Sequence, residues 1–433
     1  MYSIWHVFCS GTAYSNNMKK ILILGGKPIG SVEMVQRAKE MGLYTVVADY
    51  LPAAESMAKA YADEAWDIST AEVDTLVEKC RREGIDGALT AVHEFNINRL
   101  RELCAALDFP CYCQGKPWLY CDNKLEFKAL CQQAGLPVAT LYKVRPDDGS
   151  DLSSLPYPVI VKPSDSSGSR GFAVCRSEQE LRAAFPNALK FSINGECVVE
   201  DYMPYDSVII HYTMENGKCR YSGLSDKYSA KFASTGASVM GIQLFPSKGE
   251  GVYLQQYNER VCRMFEDAGF REGPIWIEAF YDGGEKFVFN EMGYRFGGSL
   301  TYYPVRYFHR LDQLTSLIAS AVPGDYSPVE LPPATREHYC ILPLHVRAGK
   351  IARISGLDAV KARPDVYAYV PVHFEGDEIQ EWGSAQQVFC YLHILYNTME
   401  ELRRSIREIL GTLKAEDPAG NNLVYPLFNV ESL

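Results

Sequence analysis

Two glutamates in one predicted β-hairpin have the type and spacing to hold a divalent cation. Residues 274–295 contain two runs rich in aromatic and β-branched residues, and Asp-Gly-Gly-Glu joins them, which is typical of a hairpin. With residues 283–284 as a two-residue turn, Glu278 lies opposite Phe289 and is a diagonal neighbour of Glu291, about 7–8 Å away. Magnesium prefers oxygen ligands and keeps phosphates in its shell, so this pair predicts a metal–nucleotide site.

The same hairpin also permits a purely structural interpretation. Two solvated glutamates on an edge hairpin need no ligand, and a turn one residue longer places the two carboxylates on opposite faces. Arg295, four residues beyond Glu291, adds a cation that can meet an anion. The choice between the two interpretations depends on the charged residues elsewhere in the chain.

A lysine in an apolar strand, followed by a loop rich in glycine and serine, predicts a phosphate site. Residues 157–163 are predicted to form a strand that carries Lys162, and residues 164–171 form the loop. Such a loop offers backbone N–H groups and hydroxyls to a phosphate, and a lysine near the end of a buried strand is costly unless an anion meets it. The loop lacks the residue order of a P-loop, and a flexible surface loop is the alternative.

Further candidates flank these two segments. Lys124 is predicted at the N-terminus of a helix, a place that favours anions. The strand over residues 196–202 leads through an irregular link to Asp206, so its backbone can read an adenine edge and Asp206 can accept from ribose hydroxyls. Lys227 adds a further cation. Taken singly, each of these is equally well a surface residue.

Strands alternate with helices over residues 19–115, which predicts βαβ units and a doubly wound parallel sheet. The GGxxxG sequence at residues 25–30 and Asp49 resemble a dinucleotide fingerprint in outline, although the spacing is not GxGxxG. A tight strand-to-helix turn is the alternative. Three polar residues are predicted at the end of the next strand, where open α/β sheets bind ligands: Thr90, His93 and Glu94.

Composition limits the classes of function. A chain of 433 residues suggests about three domains, and its net charge of −11 argues against a nucleic-acid partner. No apolar run approaches the ~18–20 residues needed to span a bilayer, so no membrane partner is expected. Residues 1–17 lack the basic segment of a signal peptide. Thirteen cysteines without a CxxC pair indicate reduced thiols and a cytoplasmic protein.

Seven of these residues occur in one order along the chain: Lys124, Lys162, Glu200, Asp206, Glu278, Glu291 and Arg295. With the glycine–serine loop and the sequence Val-Val-Glu-Asp-Tyr-Met around Glu200, they resemble the ATP-grasp superfamily. Within it, the chain is most similar to the carboxylate–amine ligase branch, which includes the L-amino-acid ligases and the relatives of carbamoyl-phosphate synthase and biotin carboxylase.

The resemblance implies a fold of α/β and α+β parts. After an extension or tail of residues 1–18, a Rossmann-like pre-ATP-grasp domain is expected over 19–115. A two-lobed ATP-grasp fold follows over 116–325, with a mobile lobe at about 155–215. A β-rich C-terminal α+β domain is expected over 335–433.

The resemblance also implies residue roles. Arg295 and Lys162 are the implied catalytic residues, and Arg295 is expected to hold the acyl phosphate or the substrate carboxylate. Glu278 and Glu291 are the implied ligands of magnesium, with two ions expected and manganese as a substitute. Eleven residues are implied to bind ATP: Lys124, Lys162, Ser166, Ser167, Gly168, Gly171, Glu200, Tyr202, Met203, Asp206 and Lys227.

One departure from the family pattern is visible. The last acidic strand of the family commonly reads Glu-x-Asn-x-Arg, whereas here a glycine, Gly293, stands between Glu291 and Arg295. Because Gly293 has no side chain to ligate a metal, the second magnesium is expected to be held differently or more weakly. Asn290 is expected on the opposite face of the strand and is a poor substitute.

The predicted function is an ATP-dependent carboxylate–amine ligase. ATP phosphorylates a carboxylate, an amine attacks the acyl phosphate, and ADP and phosphate are released. The expected partners are a small carboxylate and a small amine, with a homodimer as the expected assembly. The alternatives are an enzyme that phosphorylates bicarbonate, an NAD-dependent oxidoreductase, and a nucleotide-binding module without catalysis.

Overall fold

The computed structural model describes residues 18–27, 29–53, 55–165, 171–327 and 329–433. Four parts of the sequence-based prediction lie outside this range, namely the N-terminal extension, Ser166, Ser167 and Gly168. In the described part of the chain, no helix is both long and apolar enough to cross a membrane.

The N-terminal part is the predicted α/β unit. Its four strands form one parallel sheet in the order β3-β2-β1-β4, and their apolar residues are buried under helices, as a parallel sheet requires. The elements are β1 (Lys20–Leu24), α1 (Ser31–Glu40), β2 (Tyr44–Ala48), α2 (Met57–Tyr61), β3 (Glu64–Trp66), α3 (Val73–Glu83), β4 (Gly87–Thr90) and α4 (Glu94–Leu107).

The end of β4 differs from the prediction. Thr90 is the last residue of the strand, but His93 is the N-cap of the next helix and Glu94 is its first residue, so neither ends the strand. Glu94 therefore stands at the N-terminus of α4, at the carboxyl edge of the sheet.

A smaller antiparallel sheet follows, in the order β5-β8-β6-β7. One face of it packs on a helix, and that contact forms a separate hydrophobic core. The elements of this region are α5 (Pro117–Asp122), α6 (Lys124–Gln133), β5 (Leu141–Tyr142), β6 (Val159–Pro163), β7 (Ala173–Cys175), α7 (Glu178–Lys190) and β8 (Cys197–Asp201).

A large antiparallel sheet organises the rest of the chain. Its order is β13-β12-β9-β10-β11-β14-β19-β17, with β21 paired to β14. Its first half comprises β9 (Asp206–Glu215), β10 (Lys218–Lys231), β11 (Ser238–Phe245), α8 (Glu250–Gln256), α9 (Asn258–Asp267), β12 (Gly273–Tyr281), β13 (Phe287–Gly293), α10 (Tyr302–His309) and α11 (Gln313–Ala321). The sheet continues through the β11–β14 pair across the segment where a domain boundary is predicted.

The second half of the sheet carries its own core on one face. The elements are β14 (His338–Val346), β15 (Gly349–Lys350), β16 (Arg353–Ser355), α12 (Leu357–Lys361), β17 (Val366–Pro371), β18 (Glu378–Ile379), β19 (Val388–Tyr396), α13 (Met399–Thr412), β20 (Lys414–Glu416) and β21 (Val424–Tyr425). The mixture of a parallel α/β unit with antiparallel sheets confirms the predicted α/β and α+β fold class.

Candidate active site

The two candidate metal ligands face each other across the hairpin, but the predicted register is wrong. The turn is longer than two glycines, because the last paired residues are Tyr281 and Phe287. A β-bulge then inserts one extra residue, Asn290, so Glu278 lies directly opposite Glu291 and not diagonal to it. Without the bulge the longer turn pairs Glu278 with residue 290 and places Glu291 on the other face. The bulge restores the shared face.

Glu278 is held by two donors on neighbouring strands. Lys227 Nζ lies 3.0 Å from Glu278 Oε2, and Ser207 Oγ donates to Glu278 Oε1 at 2.6 Å. Burial alone raises the pKa of Glu278, but the charge of Lys227 and the Ser207 hydrogen bond outweigh it and hold the pKa below its usual value. The pKa of Lys227 is correspondingly raised by Glu278, against its own burial. Both side chains are therefore charged.

Glu291 meets a lysine from a different part of the fold. Lys124 Nζ lies 3.7 Å from Glu291 Oε2, and Lys124 is the first residue of α6. Asn123 caps that helix, because its side chain accepts from the backbone N–H of the second and third helical residues. The Lys124 N–H donates to Ser164 O at 3.2 Å, which joins the helix start to the end of β6.

Lys162 links the second sheet to the hairpin. Its Nζ donates to Asn290 Oδ1 at 3.0 Å and lies 2.5 Å from Glu200 Oε1. Asn290 therefore faces the charged cluster, and the prediction that it lies on the opposite face is wrong, because the bulge turns its side chain. The Glu200 side chain is buried, and Lys128 Nζ lies 2.9 Å from Glu200 Oε2 in an ion pair without hydrogen-bond geometry.

The Glu200 carboxylate stays charged inside the protein. Burial raises its pKa, but the charges of Lys162 and Lys128 outweigh burial and lower the pKa below its usual value. Burial also lowers the pKa of Lys128. Two lysines thus share one carboxylate, which leaves an excess of positive charge beside the hairpin carboxylates.

Four further residues predicted to bind ATP lie at the ends of strands. Tyr202 and Met203 follow the end of β8, and Asp206 begins β9 opposite Tyr281. Gly171 has φ +73°, where a side chain is strained, and precedes β7. None of these four described residues contacts the hairpin carboxylates directly, so their predicted roles stay predictions.

Arg295 lies beyond the hairpin and contacts the N-terminal unit. Its Nη2 donates to Glu94 Oε1 at 2.9 Å, and its Nη1 donates to Phe296 O at 2.9 Å. The guanidinium carbon is 5.3 Å from the centroid of the Trp276 ring, within the range of a cation–π contact. The carboxyl edge of the parallel sheet therefore meets the hairpin at Arg295.

Several residues of the cluster were missed by the sequence analysis: Ser207, Lys128, Trp276 and the site-facing position of Asn290. Only Lys128 could have been identified from the sequence, because it lies four residues after Lys124 in one predicted helix, and residues at that spacing share a face. The others depend on strand pairing and on the bulge, which leave no local signature.

Asp49, the acidic residue of the possible dinucleotide fingerprint, has a structural role instead. Asp49 is buried and its Oδ2 accepts from the Gly26 N–H at 2.8 Å, so it closes the glycine turn. A Cβ at Gly26 would lie 2.1 Å from Ser56 Oγ, so close packing explains why a glycine occupies this position. The turn is thus a tight strand-to-helix connection, and Asp49 does not face a ribose.

The donor set fits magnesium held jointly with a nucleotide. No group of three or more histidine, cysteine or acidic side chains suited to a metal occurs within the described ranges. Glu278 and Glu291 supply two carboxylates at paired positions, with Cβ atoms expected about 4.5–5.5 Å apart. Magnesium is commonly bound by one or two carboxylates together with substrate phosphates, and the adjacent lysines suit those phosphates.

Comparisons with known proteins agree with this geometry. The family model described as "D-ala D-ala ligase C-terminus" matches residues 130–293. A curated relative, the formate-dependent phosphoribosylglycinamide formyltransferase of Sulfurisphaera tokodaii, is 27% identical over 201 residues, which are 45% of this chain and 50% of that protein. The chain thus spans about half the length of the curated relatives it matches.

Two solved structures share the fold over nearly the whole chain. The biotin carboxylase domain of Hydrogenobacter thermophilus 2-oxoglutarate carboxylase has a TM-score of 0.75 at 17% identity, covering 92% of this chain and 91% of that one. The L-amino acid ligase of Bacillus licheniformis has a TM-score of 0.70 at 19% identity, covering 92% and 98%. The family model over residues 130–293 and these neighbours indicate the ATP-grasp carboxylate–amine ligases as the proteins that this chain resembles, and the chain shares their fold.

Proposed function

We propose that the protein is an ATP-dependent carboxylate–amine ligase that forms a carbon–nitrogen bond and releases ADP and phosphate. The observation that carries the proposal is the placement of Glu278 opposite Glu291, with Lys227 on one side and Lys124 on the other. Like charges directly opposite one another in a sheet are destabilising. Lys227 and Lys124 offset this repulsion here, and two carboxylates and two lysines grouped in this way suit a metal cation bound together with phosphates.

In this proposal, three lysines bind the triphosphate. Lys124, Lys162 and Lys227 come from three different elements and converge on the hairpin. Each is paired with a side-chain oxygen here, and phosphate oxygens replace these partners when ATP binds. Bound magnesium supplies charge neutralisation on the transferring phosphoryl group.

Phosphoryl transfer then makes the carboxylate reactive. A substrate carboxylate oxygen attacks the γ-phosphorus, the bond to the β-phosphate oxygen breaks, and ADP leaves. Arg295, which is fixed by Glu94, holds the carboxylate or the resulting acyl phosphate by charge-assisted hydrogen bonds. An amine attacks the acyl carbon, phosphate leaves, and the amine proton goes to solvent or to a nearby base. No side-chain nucleophile is needed.

The names of the relatives define the substrates to try. The curated relative is formate-dependent, one structural neighbour was crystallised with MgADP and bicarbonate, and another is an L-amino acid ligase. The three names therefore point to three different acids: formate, bicarbonate and an amino acid. Bicarbonate phosphorylation is therefore the second candidate function.

The test is a release assay for ADP and phosphate with Mg·ATP and a panel of acids: formate, acetate, bicarbonate, glycine, L-alanine and L-glutamate. Each acid is assayed alone and with an amine, using hydroxylamine as a general trap for an acyl phosphate. The proposal expects ADP release that requires magnesium and one acid, together with a hydroxamate. Activation by bicarbonate without a hydroxamate selects the second candidate. ADP release that no acid stimulates contradicts both.

A further inference from the structure

Trp276 is a residue of the hairpin to which the proposed chemistry assigns no role. It lies two residues before Glu278 on β12, and its neighbours in the strand are buried in the core whereas Trp276 is partly exposed. Trp276 and Glu278 therefore share the outer face of the strand. Across the hairpin Trp276 pairs with Gly293, and Arg295 lies over its ring. The indole thus occupies the space between the carboxylates and the arginine.

The ring leaves no room for a side chain at position 293. A Cβ built on Gly293 would lie 2.3 Å from Cε2 and 2.4 Å from both Cζ2 and Nε1 of Trp276. Contacts of this length require the ring to move. In the Glu-x-Asn-x-Arg pattern an asparagine stands here, so in this chain the indole takes the place of that side chain.

Packing and charge, not a hydrogen bond, hold the indole in place. Trp276 Nε1 is buried without a hydrogen-bond partner in the described part of the chain. The Arg295 guanidinium carbon lies 5.3 Å from the centroid of the Trp276 ring, and Glu94 binds the outer edge of the guanidinium. Arg295 is therefore held between an aromatic face and a carboxylate, and neither contact involves Glu278 or Glu291.

We propose that Trp276 is the residue that positions Arg295 toward the end of the site where the substrate carboxylate binds. The indole replaces the absent asparagine side chain with a platform for the guanidinium, so anion binding by Arg295 depends on the ring. This inference rests on the proposed ligase function. Loss of the ring is expected to weaken binding of the acyl phosphate and to leave Mg·ADP binding unchanged.

The first experiment tests the packing pair without any substrate. Thermal unfolding midpoints are measured for Gly293→Ala, Trp276→Ala and the double variant. Gly293→Ala is expected to lower the midpoint in the wild-type background and to lower it much less in the Trp276→Ala background, because contacting residues are not additive. Equal shifts in the two backgrounds would overturn the inference.

The second experiment measures binding by calorimetry, with acetylphosphonate as a stable acyl phosphate mimic added to protein saturated with Mg·ADP. Trp276→Ala is expected to weaken acetylphosphonate binding about 3- to 30-fold, the range of a cation–π contact. Trp276→Phe is expected to restore most of the affinity, and all variants should bind Mg·ADP as the wild type does.

The outcomes separate the two proposals. Absence of Mg·ADP binding by the wild type contradicts the proposed function itself. Intact Mg·ADP binding with no acetylphosphonate binding, or with equal acetylphosphonate affinity in the wild type and Trp276→Ala, overturns the role of Trp276 and leaves the nucleotide site standing.

Discussion

Lys227 Nζ lies 3.0 Å from Glu278 Oε2, so one proposed metal ligand is paired with a cation on β10, which β9 separates from β12 in the same sheet. The Lys124–Glu291 pair repeats the arrangement on the other side of the hairpin. Each lysine neutralises a carboxylate that would otherwise repel its opposite partner. In the proposed function, binding of Mg·ATP would exchange these partners, with the carboxylates holding the metal and the lysines the phosphates.

Lys227→Met is expected to destabilise the protein by about 1–3 kcal/mol at pH 7, because it leaves the partly buried Glu278 carboxylate charged without its partner. In the wild type the pKa of Glu278 is held below its usual value of 4.5, so the stabilisation is present above that pH and is lost on acidification. In the variant the pKa of Glu278 rises because the charge of Lys227 is lost while burial remains, so the deficit shrinks as the pH falls toward that raised pKa.

Urea unfolding at four pH values between 5 and 8 measures this deficit. Lys286→Met, at an exposed lysine of the same hairpin, is the matched control and should change stability by less than about 0.5 kcal/mol. The double variant Lys227→Met/Glu278→Gln should recover much of the loss. A deficit that is constant with pH would refute the assigned charge state.

Glu291→Gln is expected to abolish magnesium-dependent ADP formation while the protein stays folded. The amide keeps the size of the side chain but removes one of the two anionic ligands at the site. Circular dichroism checks the fold and a coupled assay measures ADP. Glu285→Gln, at an exposed glutamate of the hairpin turn, serves as the control and should retain full activity. Undiminished turnover in Glu291→Gln would remove the metal assignment.

Lys162 and Lys128 share the Glu200 carboxylate but are expected to differ in function. Lys162→Met should raise the Kd for ATP by at least about tenfold, the equivalent of 1.4 kcal/mol, because Lys162 also reaches Asn290 in the hairpin. Lys128 is fully buried, and Lys128→Met should act mainly on stability. Calorimetry with Mg·AMPPNP separates the effects; equal ATP affinity in the wild type and Lys162→Met contradicts the phosphate role.

Long apolar runs bounded by turn residues were predictable from the sequence. Tyr44–Ala48, His338–Val346 and Val388–Tyr396 are buried strands, and each is an apolar run with few polar interruptions, which a sequence pattern can identify. Elements with mixed composition carry no such pattern. Residues 225–231 belong to the long strand β10, and the helices α8 and α9 are separated by Tyr257.

The charged residues of the site were predictable, while their pairing was not. Glu278, Glu291 and Lys162 were identified by residue type and strand position, but the register came from a bulge at Asn290. The position of a bulge depends on how the whole strand packs, and a local sequence pattern does not predict that packing. For the same reason the reversal of Asn290 into the site was missed.

Binding of Mg·ATP is expected to raise the thermal unfolding midpoint, because a ligand that binds only the folded state stabilises it by about 2.7 kcal/mol at one hundred times its Kd. Magnesium and ATP should each shift the midpoint much less alone, since the carboxylates and lysines bind the two jointly. Excess EDTA should abolish the joint shift. The Glu278→Gln/Glu291→Gln double variant should respond to ATP equally with and without magnesium, and a retained magnesium-dependent shift there would place the metal elsewhere.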